Sequence, residues 1–508
     1  MAKRNEFKSS PATPEILDAL IVSPHVDYDS EGQPKLQDYD LSIILPLGAM
    51  YVVQHLNDRG YKVAFLHLST YLSEPENKGL SLEQVLARFP AKICAIQCNW
   101  FLYLGGTAEV SRAYRKLFPN AQIIAGGIHA TGSKQSLMDN IPELDGIVLG
   151  EGERVLESMV HQKNLESIPG LMLRNGQETI PQREHLPISD VSIIDPRLPC
   201  FHGVKPSSSF YLNVSRGKCA HHCTYCVANN GEIFQRKLTS LPIPKIIEQL
   251  KIYKECDVKE VFLGETQFIT RPFLKELARE IIKQKVDIYL RLETHPILFD
   301  YDMTKLLIEA GFRRFTMGCE SGDPDMLSAS GRNYGTNRIL KAVETIVEHG
   351  GIVLTSWIIN LPNETRTQFD HTLKMMNEVA DRGGLSYWIE NLHVIPGSPL
   401  EKEEEKHKIK ILLKTFADWR RWAFIAKSNI DFEDALEQPE KYLTHLATNA
   451  SPREMMERFI EARMFAKELI PKKINFLMNR KDLPTEIAAV EMAGLHWYQK
   501  AGYRMLVF

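Results

Sequence analysis

The sequence predicts an α/β protein in three parts: an N-terminal doubly wound five-stranded parallel sheet, a central partial (β/α)6 barrel, and a C-terminal helical region. Three observations predict it. Residues 17–160 hold five short apolar runs separated by amphipathic stretches, and continuous rather than alternating apolar strands belong to parallel sheets covered on both faces. After residue 207 the alternation returns with six strand-like runs and five helical patterns; a full eight-unit barrel would take about 250 residues. Beyond residue 400 apolar residues follow helical spacing among dense charge.

In the first part the strand-like runs are Leu17–Pro24, Lys62–Ser69, Lys92–Cys98, Ala121–Ala130 and Asp145–Gly150. Helical patterns lie between them at Leu47–Arg59, Leu82–Phe89, Ala108–Phe118 and Lys134–Asn140, bounded by breakers such as Arg59-Gly60 and Phe118-Pro119-Asn120. A sheet of this kind takes its ligand at the carboxyl ends of its strands. Ile168–Thr179 reads as a small hairpin turning at Asn175-Gly176. Pro187, Pro196, Pro199 and Pro206 then mark an interdomain linker.

The barrel strands are expected at Phe210–Ser215, Glu260–Gly264, Asp287–Leu292, Arg314–Met317, Ile352–Asn360 and Leu385–Val394. Helices are expected at Pro244–Lys254, Arg271–Lys283, Met303–Ala310, Asn337–His349 and Gln368–Asp381. The last part reads as helices at Lys406–Lys427, Pro452–Met478 and Pro484–Gly502, with the charge run Glu401–Lys406 a solvated helix start. Domain boundaries are expected at 1–165, 166–206, 207–400 and 401–508.

Composition excludes several classes. The 508 residues carry 61 basic and 64 acidic side chains, a net charge of −3 and no electrostatic footprint for nucleic acid. The longest uncharged run, Leu41–Asn57, is broken by Pro46 and Gly48 and falls short of the ~18 apolar residues of a spanning helix. Met1–Glu15 lacks the apolar stretch of a secretory signal. Eight cysteines are too few for a disulfide scaffold, so a reducing cytoplasm is expected. Cys94, Cys98, Cys200, Cys256 and Cys319 read as buried, inert thiols.

The remaining three, Cys219, Cys223 and Cys226, sit in Arg216-Gly217-Lys218-Cys219-Ala220-His221-His222-Cys223-Thr224-Tyr225-Cys226, just after the first barrel strand. Three thiols on one loop can converge on one centre, and thiolates select zinc, Cu(I) or iron–sulfur clusters. Zinc with His221 or His222 as fourth ligand is one reading. Structural zinc sites favour paired two-residue spacings, so the lone trio points to a [4Fe–4S] cluster with one open iron.

Cys-x3-Cys-x2-Cys with an aromatic before its last cysteine, opening a six-unit barrel, resembles the radical SAM superfamily. The resemblance implies that S-adenosylmethionine (SAM) chelates the open iron and that one electron cleaves it to a 5′-deoxyadenosyl radical, which abstracts hydrogen. Residues carry over one by one. Tyr225 is the motif aromatic. Leu263-Gly264-Glu265-Thr266 stands where the family has Gly-Gly-Glu, with Glu265 accepting the SAM ammonium. Gly318-Cys319-Glu320-Ser321-Gly322 resembles Gly-x-Glu-Ser-Gly, with Glu320 toward the ribose and Ser321 beside it. Arg332 would grip the SAM carboxylate. Ile358-Ile359-Asn360-Leu361-Pro362-Asn363-Glu364-Thr365 resembles the Gly-Leu-Pro-Gly-Glu-Thr run under the adenine, Asn replacing Gly at 360 and 363; Asn tolerates positive φ.

The first part resembles the cobalamin-binding domains that precede many such barrels, through Leu47-Gly48-Ala49, Ala125-Gly126-Gly127-Ile128-His129-Ala130 and Gly150-Glu151-Gly152-Glu153. Glycines at strand ends let a flat macrocycle approach the backbone. Asn99 and Trp100 would lie beneath the corrin. The Asp-x-His-x-x-Gly pattern that supplies an axial histidine to cobalt is absent: in Pro24-His25-Val26-Asp27 the order is reversed, and His25 reads as a solvated loop residue. His129 reads as a strand-end histidine packed on the sheet.

The resemblance implies a cobalamin-dependent radical SAM methyltransferase acting on a carbon of a small, secondary-metabolite-like substrate. Its cofactors would be a [4Fe–4S] cluster, SAM and cobalamin, served by an electron donor such as flavodoxin or ferredoxin. A rearrangement or cyclisation without methyl transfer is the alternative. A tRNA methylthiotransferase would need three further cysteines in the first domain, and Cys94 and Cys98 have no third partner. A cobalamin-sensing binding protein would leave the cysteine trio without a role. The C-terminal aromatics, Trp419 and Trp422 among them, read mainly as helix-packing core.

Overall fold

The computed structural model describes residues 15–25, 45–161, 164–174, 183–206, 209–264, 270–427 and 430–478. In the first part, strands β1 (Leu17–Ser23), β2 (Val63–His67), β3 (Ala91–Gln97), β4 (Gln122–Gly126) and β5 (Gly146–Val148) alternate with helices. These are α1 (Leu47–Asn57), α2 (Leu68–Ser73), α3 (Leu82–Leu86), α4 (Leu104–Leu117), α5 (Ile128–Gly132), α6 (Lys134–Asn140) and α7 (Glu153–Val160). The five strands are mutually parallel in the order β5-β4-β3-β1-β2 and are buried almost throughout, as their unbroken apolar runs require. Strand order reverses beside β1, which opens a crevice at the carboxyl ends of β1 and β3.

The stretch expected to be only hairpin and linker extends this sheet at both edges. β6 (Leu171–Leu173) pairs antiparallel with β5, and β7 (Phe201–His202) pairs parallel with β2, giving seven strands. The expected turn at Asn175-Gly176 lies outside the described residues. Short strands of this kind cover edges that would otherwise present unpaired backbone.

The barrel is built from β8 (Phe210–Leu212), β11 (Val261–Leu263), β12 (Leu290–Thr294), β13 (Phe312–Glu320), β14 (Ile352–Ile359) and β15 (Leu385–Asn391), all parallel and in sequential order. A small antiparallel pair, β9 (Ser215–Arg216) with β10 (Thr239–Ser240), brackets the cysteine loop. Between the strands run α8 (Ile243–Glu255), α9 (Arg271–Lys283), α10 (Tyr301–Glu309), α11 (Pro324–Ala329), α12 (Thr336–Glu348) and α13 (Arg366–Asp381).

The C-terminal part departs from an all-helical reading. The charge run yields only α14 (Pro399–Lys402) and a turn. Lys406–Lys427 divides into β16 (Ile409–Ile411) and α15 (Phe416–Lys427), and β16 pairs antiparallel with β17 (His445–Ala447). Ile409 and Ile411 are buried around exposed Lys410, a two-residue period too short to stand out among the charges. After α16 (Phe432–Glu437), α17 (Pro452–Glu468) starts at a Ser451–Glu454 capping box and packs along β15, and α18 (Ile470–Met478) follows. Pro484–Gly502 lies outside the described residues.

Candidate active site

The three cysteines lie on the loop after β9, held from both sides. The Cys219 N–H donates to the Ala228 carbonyl (2.7 Å) and the Thr224 N–H to the Ser330 carbonyl (3.1 Å). Two sulfurs already accept backbone donors: Cys219 Sγ from the His221 N–H (3.5 Å) and Cys226 Sγ from the Ala228 N–H (3.4 Å). Such bonds favour thiolate, the form that ligates metal. Without metal, burial pushes the Cys226 thiol up to about 12 and also raises Cys223, while Arg332 opposes both shifts; cluster uptake would therefore release protons.

The histidines of the loop are engaged elsewhere. His222 Nδ1 meets the Asn229 amide (2.7 Å), and the His221 ring stacks on His295 (4.7 Å, 2° between planes). Among the described residues no three His, Cys, Asp or Glu side chains close around a single ion. The donor set, three thiols with sulfur-directed N–H groups and a neighbouring guanidinium, fits a thiolate-held cluster better than a four-ligand zinc site.

At the carboxyl ends of the later strands the predicted SAM-side residues come together in part. Half-buried Arg332 donates from Nε to the Tyr225 hydroxyl (3.0 Å) and pairs with Glu320. Glu320 sits at a register shift at the end of β13 with φ +63°, a conformation costing a non-glycine residue about 1–3 kcal/mol. Ser321 Oγ contacts Thr372 Oγ1 (3.2 Å) and faces α13 rather than Arg332. Asn360 and Asn363 both have φ +63°, so asparagine does stand in for glycine there. The Asn360 side chain, however, donates to Asn391 Oδ1 and the Met455 carbonyl (2.8 Å each), so its amide braces β14 against β15 and α17. Gly264 follows β11; Glu265 and Thr266 lie outside the described residues. His295 and Tyr334 were not anticipated: the His295 ring meets Tyr334 edge-on (4.4 Å), and the Tyr334 hydroxyl bonds the Gly318 carbonyl (3.0 Å). A polar residue just past β12 was the available signal, since every strand end of a barrel is a candidate.

The second cleft opens at the carboxyl ends of the first sheet, with about 1590 Å³ of empty space including its open mouth. Asn99, Gly126, Gly127, Gly150 and Glu151 all line it, joined by Trp100. Gly127 has φ +118°, and a Cβ there would fall 2.9 Å from the Cys98 carbonyl and collide with the Asn99 amide oxygen. The Glu151 carboxylate is already engaged, accepting from Arg236 Nε and Nη2 (2.7 and 2.9 Å) with His185 nearby (3.5 Å). Burial alone would raise its pKa, but His185, Arg236 and Arg216 hold it down at about 2. Arg216 also pairs with Glu153 (2.7 Å) and lies over the Tyr51 ring (5.0 Å). Glu151 thus ties the first sheet to the barrel, a role its sequence position did not reveal.

His25 is not solvated. It is 3% exposed, its Nδ1 contacts Ser69 Oγ (2.6 Å), and it stands outside the residues lining the cleft. The burial comes from the carboxyl end of the neighbouring β2, a contact the local sequence could not disclose. His129 lies on α5, buried edge-on against Phe101 (6.5 Å) and Trp419 (6.3 Å).

Two family models match the chain: the B12 binding domain over residues 41–160 and the radical SAM superfamily over 214–376. An uncharacterized methyltransferase of Pyrococcus horikoshii is 24% identical over 284 residues, 53% of this chain and 61% of that protein. The anaerobic magnesium-protoporphyrin IX monomethyl ester cyclase of a Synechocystis species is 22% identical over 355 residues, 65% of this chain and 68% of that one. The chain thus spans less than two thirds of the first of these relatives and 68% of the second. Among solved structures, the radical S-adenosylmethionine methyltransferase TsrM from Kitasatospora setae, with cobalamin and a [4Fe–4S] cluster bound, superposes with a TM-score of 0.68 at 15% identity, covering 89% of each chain. No helix among the described residues is long and apolar enough to cross a membrane. With a cysteine loop opening a six-stranded partial barrel and a glycine-floored cleft before it, the chain belongs to the cobalamin-dependent radical SAM enzymes.

Proposed function

We propose that this enzyme transfers a methyl group from SAM to a carbon atom of a small molecule, with cobalamin in the first cleft and SAM at the cluster. One observation carries the reading. The segment from Arg216 to Arg236 walls the cobalamin cleft through Arg216, Gly217 and Ile233–Arg236, and the same segment carries Cys219, Cys223 and Cys226. The two cofactor sites therefore share a wall, as passing a group between them requires.

When bound, the cluster supplies an electron for SAM cleavage and cobalamin carries the methyl group. The residues position and shield. Cys219, Cys223 and Cys226 would hold the cluster; Arg332 and Glu320 would exchange part of their mutual ion pair for the SAM carboxylate and ribose; Gly126 and Gly127 would let the corrin lie on bare backbone. The balance is R–H plus two SAM plus two electrons giving R–CH3, S-adenosylhomocysteine, methionine and 5′-deoxyadenosine. The electrons would come from a donor such as flavodoxin or ferredoxin in a cytoplasmic setting.

Anaerobic reconstitution with iron, sulfide and hydroxocobalamin tests the reading. The expected result is about four irons per chain, corrin absorption bands, and S-adenosylhomocysteine accumulating alongside 5′-deoxyadenosine under a low-potential reductant. Replacing Cys226 by Ala should abolish iron uptake. 5′-Deoxyadenosine without S-adenosylhomocysteine would favour a cyclase-type reaction, the activity named for the Synechocystis relative. Failure to take up cobalamin would end the methyl-transfer reading.

A further inference from the structure

We infer that His295 sets the reduction potential of the cluster through His221: its ring holds the His221 ring in place, and with it the backbone N–H that donates to Cys219 Sγ. The inference rests on a cluster at Cys219, Cys223 and Cys226 and concerns electron entry. It is therefore independent of whether the enzyme methylates or cyclises its substrate.

His221 lies between Cys219 and Cys223, and three contacts fix it. Its N–H donates to Cys219 Sγ (3.5 Å). Its carbonyl accepts from the Asn229 amide, whose nitrogen also meets His222 Nδ1 (2.7 Å). Its ring lies flat on that of His295, with 4.7 Å between centroids and 2° between planes. The first two contacts are closed within the cysteine loop. The third comes from the carboxyl end of β12 and ties this peptide to the barrel.

His295 is itself held firmly. Pro296 restricts it to extended backbone, observed at φ −105° and ψ 140°. Its Nδ1 accepts the Ile297 N–H (3.5 Å), and the Tyr334 ring meets it edge-on at 4.4 Å. Tyr334 is anchored in turn by its hydroxyl on the Gly318 carbonyl (3.0 Å) of β13. His295 is 4% exposed, and burial, then Arg332, keep its imidazole uncharged, down to about 2. The His221 ring therefore packs on a neutral flat surface, which constrains its tilt as an aliphatic side chain would not.

Hydrogen bonds to the sulfurs are among the factors that set an iron–sulfur potential. An N–H aimed at a thiolate stabilises the more negative, reduced state, so each such bond raises the potential. The loop has one at Cys219 from His221 and one at Cys226 from Ala228. The Ala228 bond is closed within its own turn, Val227–Asn229, whereas the His221 bond leans on a ring from another strand. His295 is thus a positioning residue: it acts on the cluster only through His221.

The test is a redox titration of protein loaded with cluster and hydroxocobalamin, without SAM, followed by the electron paramagnetic resonance of the reduced cluster. His295→Leu removes the flat ring, and His295→Phe keeps the ring and removes its nitrogens. At about four irons per chain, His295→Leu should lower the reduced-to-oxidised ratio at a fixed potential about tenfold, a shift of about 59 mV for one electron. His295→Phe should return the potential to that of the unmodified protein. A merely structural role would change iron content or stability and leave the potential of the loaded cluster where it was. An unchanged potential in His295→Leu at full iron content would overturn the inference, as would a potential in His295→Phe as low as that in His295→Leu. Should His295→Leu take up no iron, His295→Phe decides: native iron content and potential support the stack, and lost iron or a lowered potential overturns it.

Discussion

At the scale of single residues, backbone conformation ties sequence to chemistry more tightly than side-chain identity does. Gly127 turns β4 into α5 at φ +118°, with no room for a Cβ beside Asn99 and the Cys98 carbonyl. Gly127→Ala should cost about 1–3 kcal/mol in backbone strain and push Asn99 into the cleft. The expected result is a lower urea midpoint and cobalamin affinity weakened about tenfold or more, read by retention of corrin absorbance on a desalting column; full retention would show that the corrin does not approach this turn. This glycine was legible because glycine at a strand end has few other uses. Asn360 was half legible: its tolerance of positive φ could be read, but its side chain's engagement with Asn391 and Met455 could not, since those partners lie 31 and 95 residues away. His25 was misjudged for the same reason, and the ion pairing of cleft-lining Glu151 could not be read. Their environments are made by Arg236 and Ser69, which only the fold brings near.

At the scale of elements, the strands were legible because each is an unbroken apolar run, buried on both faces, between helices of clear period. The C-terminal elements were not: a three-residue strand among lysines has no length in which to show a period, and α15 gains its place from Trp419 and Trp422 packing on Phe101 of the first domain. Elements also explain how the cysteine loop keeps its shape. The turn after α11 lies against it, the Ser330 carbonyl taking the Thr224 N–H. Gly331, at φ +84°, passes so close that an added Cβ would strike the His222 carbonyl and stand 3.2 Å from the Cys223 Cα. Gly331→Ala should therefore displace the cluster-binding loop without touching a sulfur. The expected outcome is iron and sulfide content well below that of the unmodified protein after identical reconstitution, with far-ultraviolet circular dichroism unchanged. Normal iron content in this variant would mean that the loop holds its geometry without the support of α11.

At the scale of the whole molecule, buried ionisable groups accumulate at the carboxyl ends of both sheets, and their opposing shifts set the pH range in which the fold is most stable. Burial drives His67, His129 and His445 down to about 4 and His393 to about 3. These imidazoles are neutral when folded but take up protons below about 6.5 when unfolded, so stability falls as pH drops below that value. The buried carboxyls work the other way. Burial lifts Glu364 to about 8, opposed by the Asn360 N–H and Arg458, and lifts Glu390 to about 8 as well. Each keeps its proton in the folded chain up to about pH 8 yet loses it near 4.5 when unfolded, so their contribution is complete below 4.5 and is lost as pH rises toward 8. In the overlap these four histidines, with His295, which burial and then Arg332 drive down to about 2, outnumber the two carboxyls, which places the maximum near pH 6.5 with a decline on the alkaline side. Glu364 is the cleaner probe of that decline because it sits beneath the Asn360 turn, its Oε2 accepting the Asn360 N–H at 2.8 Å. Glu364→Gln keeps the shape of the protonated acid and removes its titration. Urea midpoints from pH 5 to 9 should show the alkaline limb of this variant shallower by roughly half, about 1.4 kcal/mol per pH unit between 6.5 and 8. A limb as steep as that of the unmodified chain would mean that Glu364 is already ionised in the folded protein and that Arg458, rather than burial, governs it.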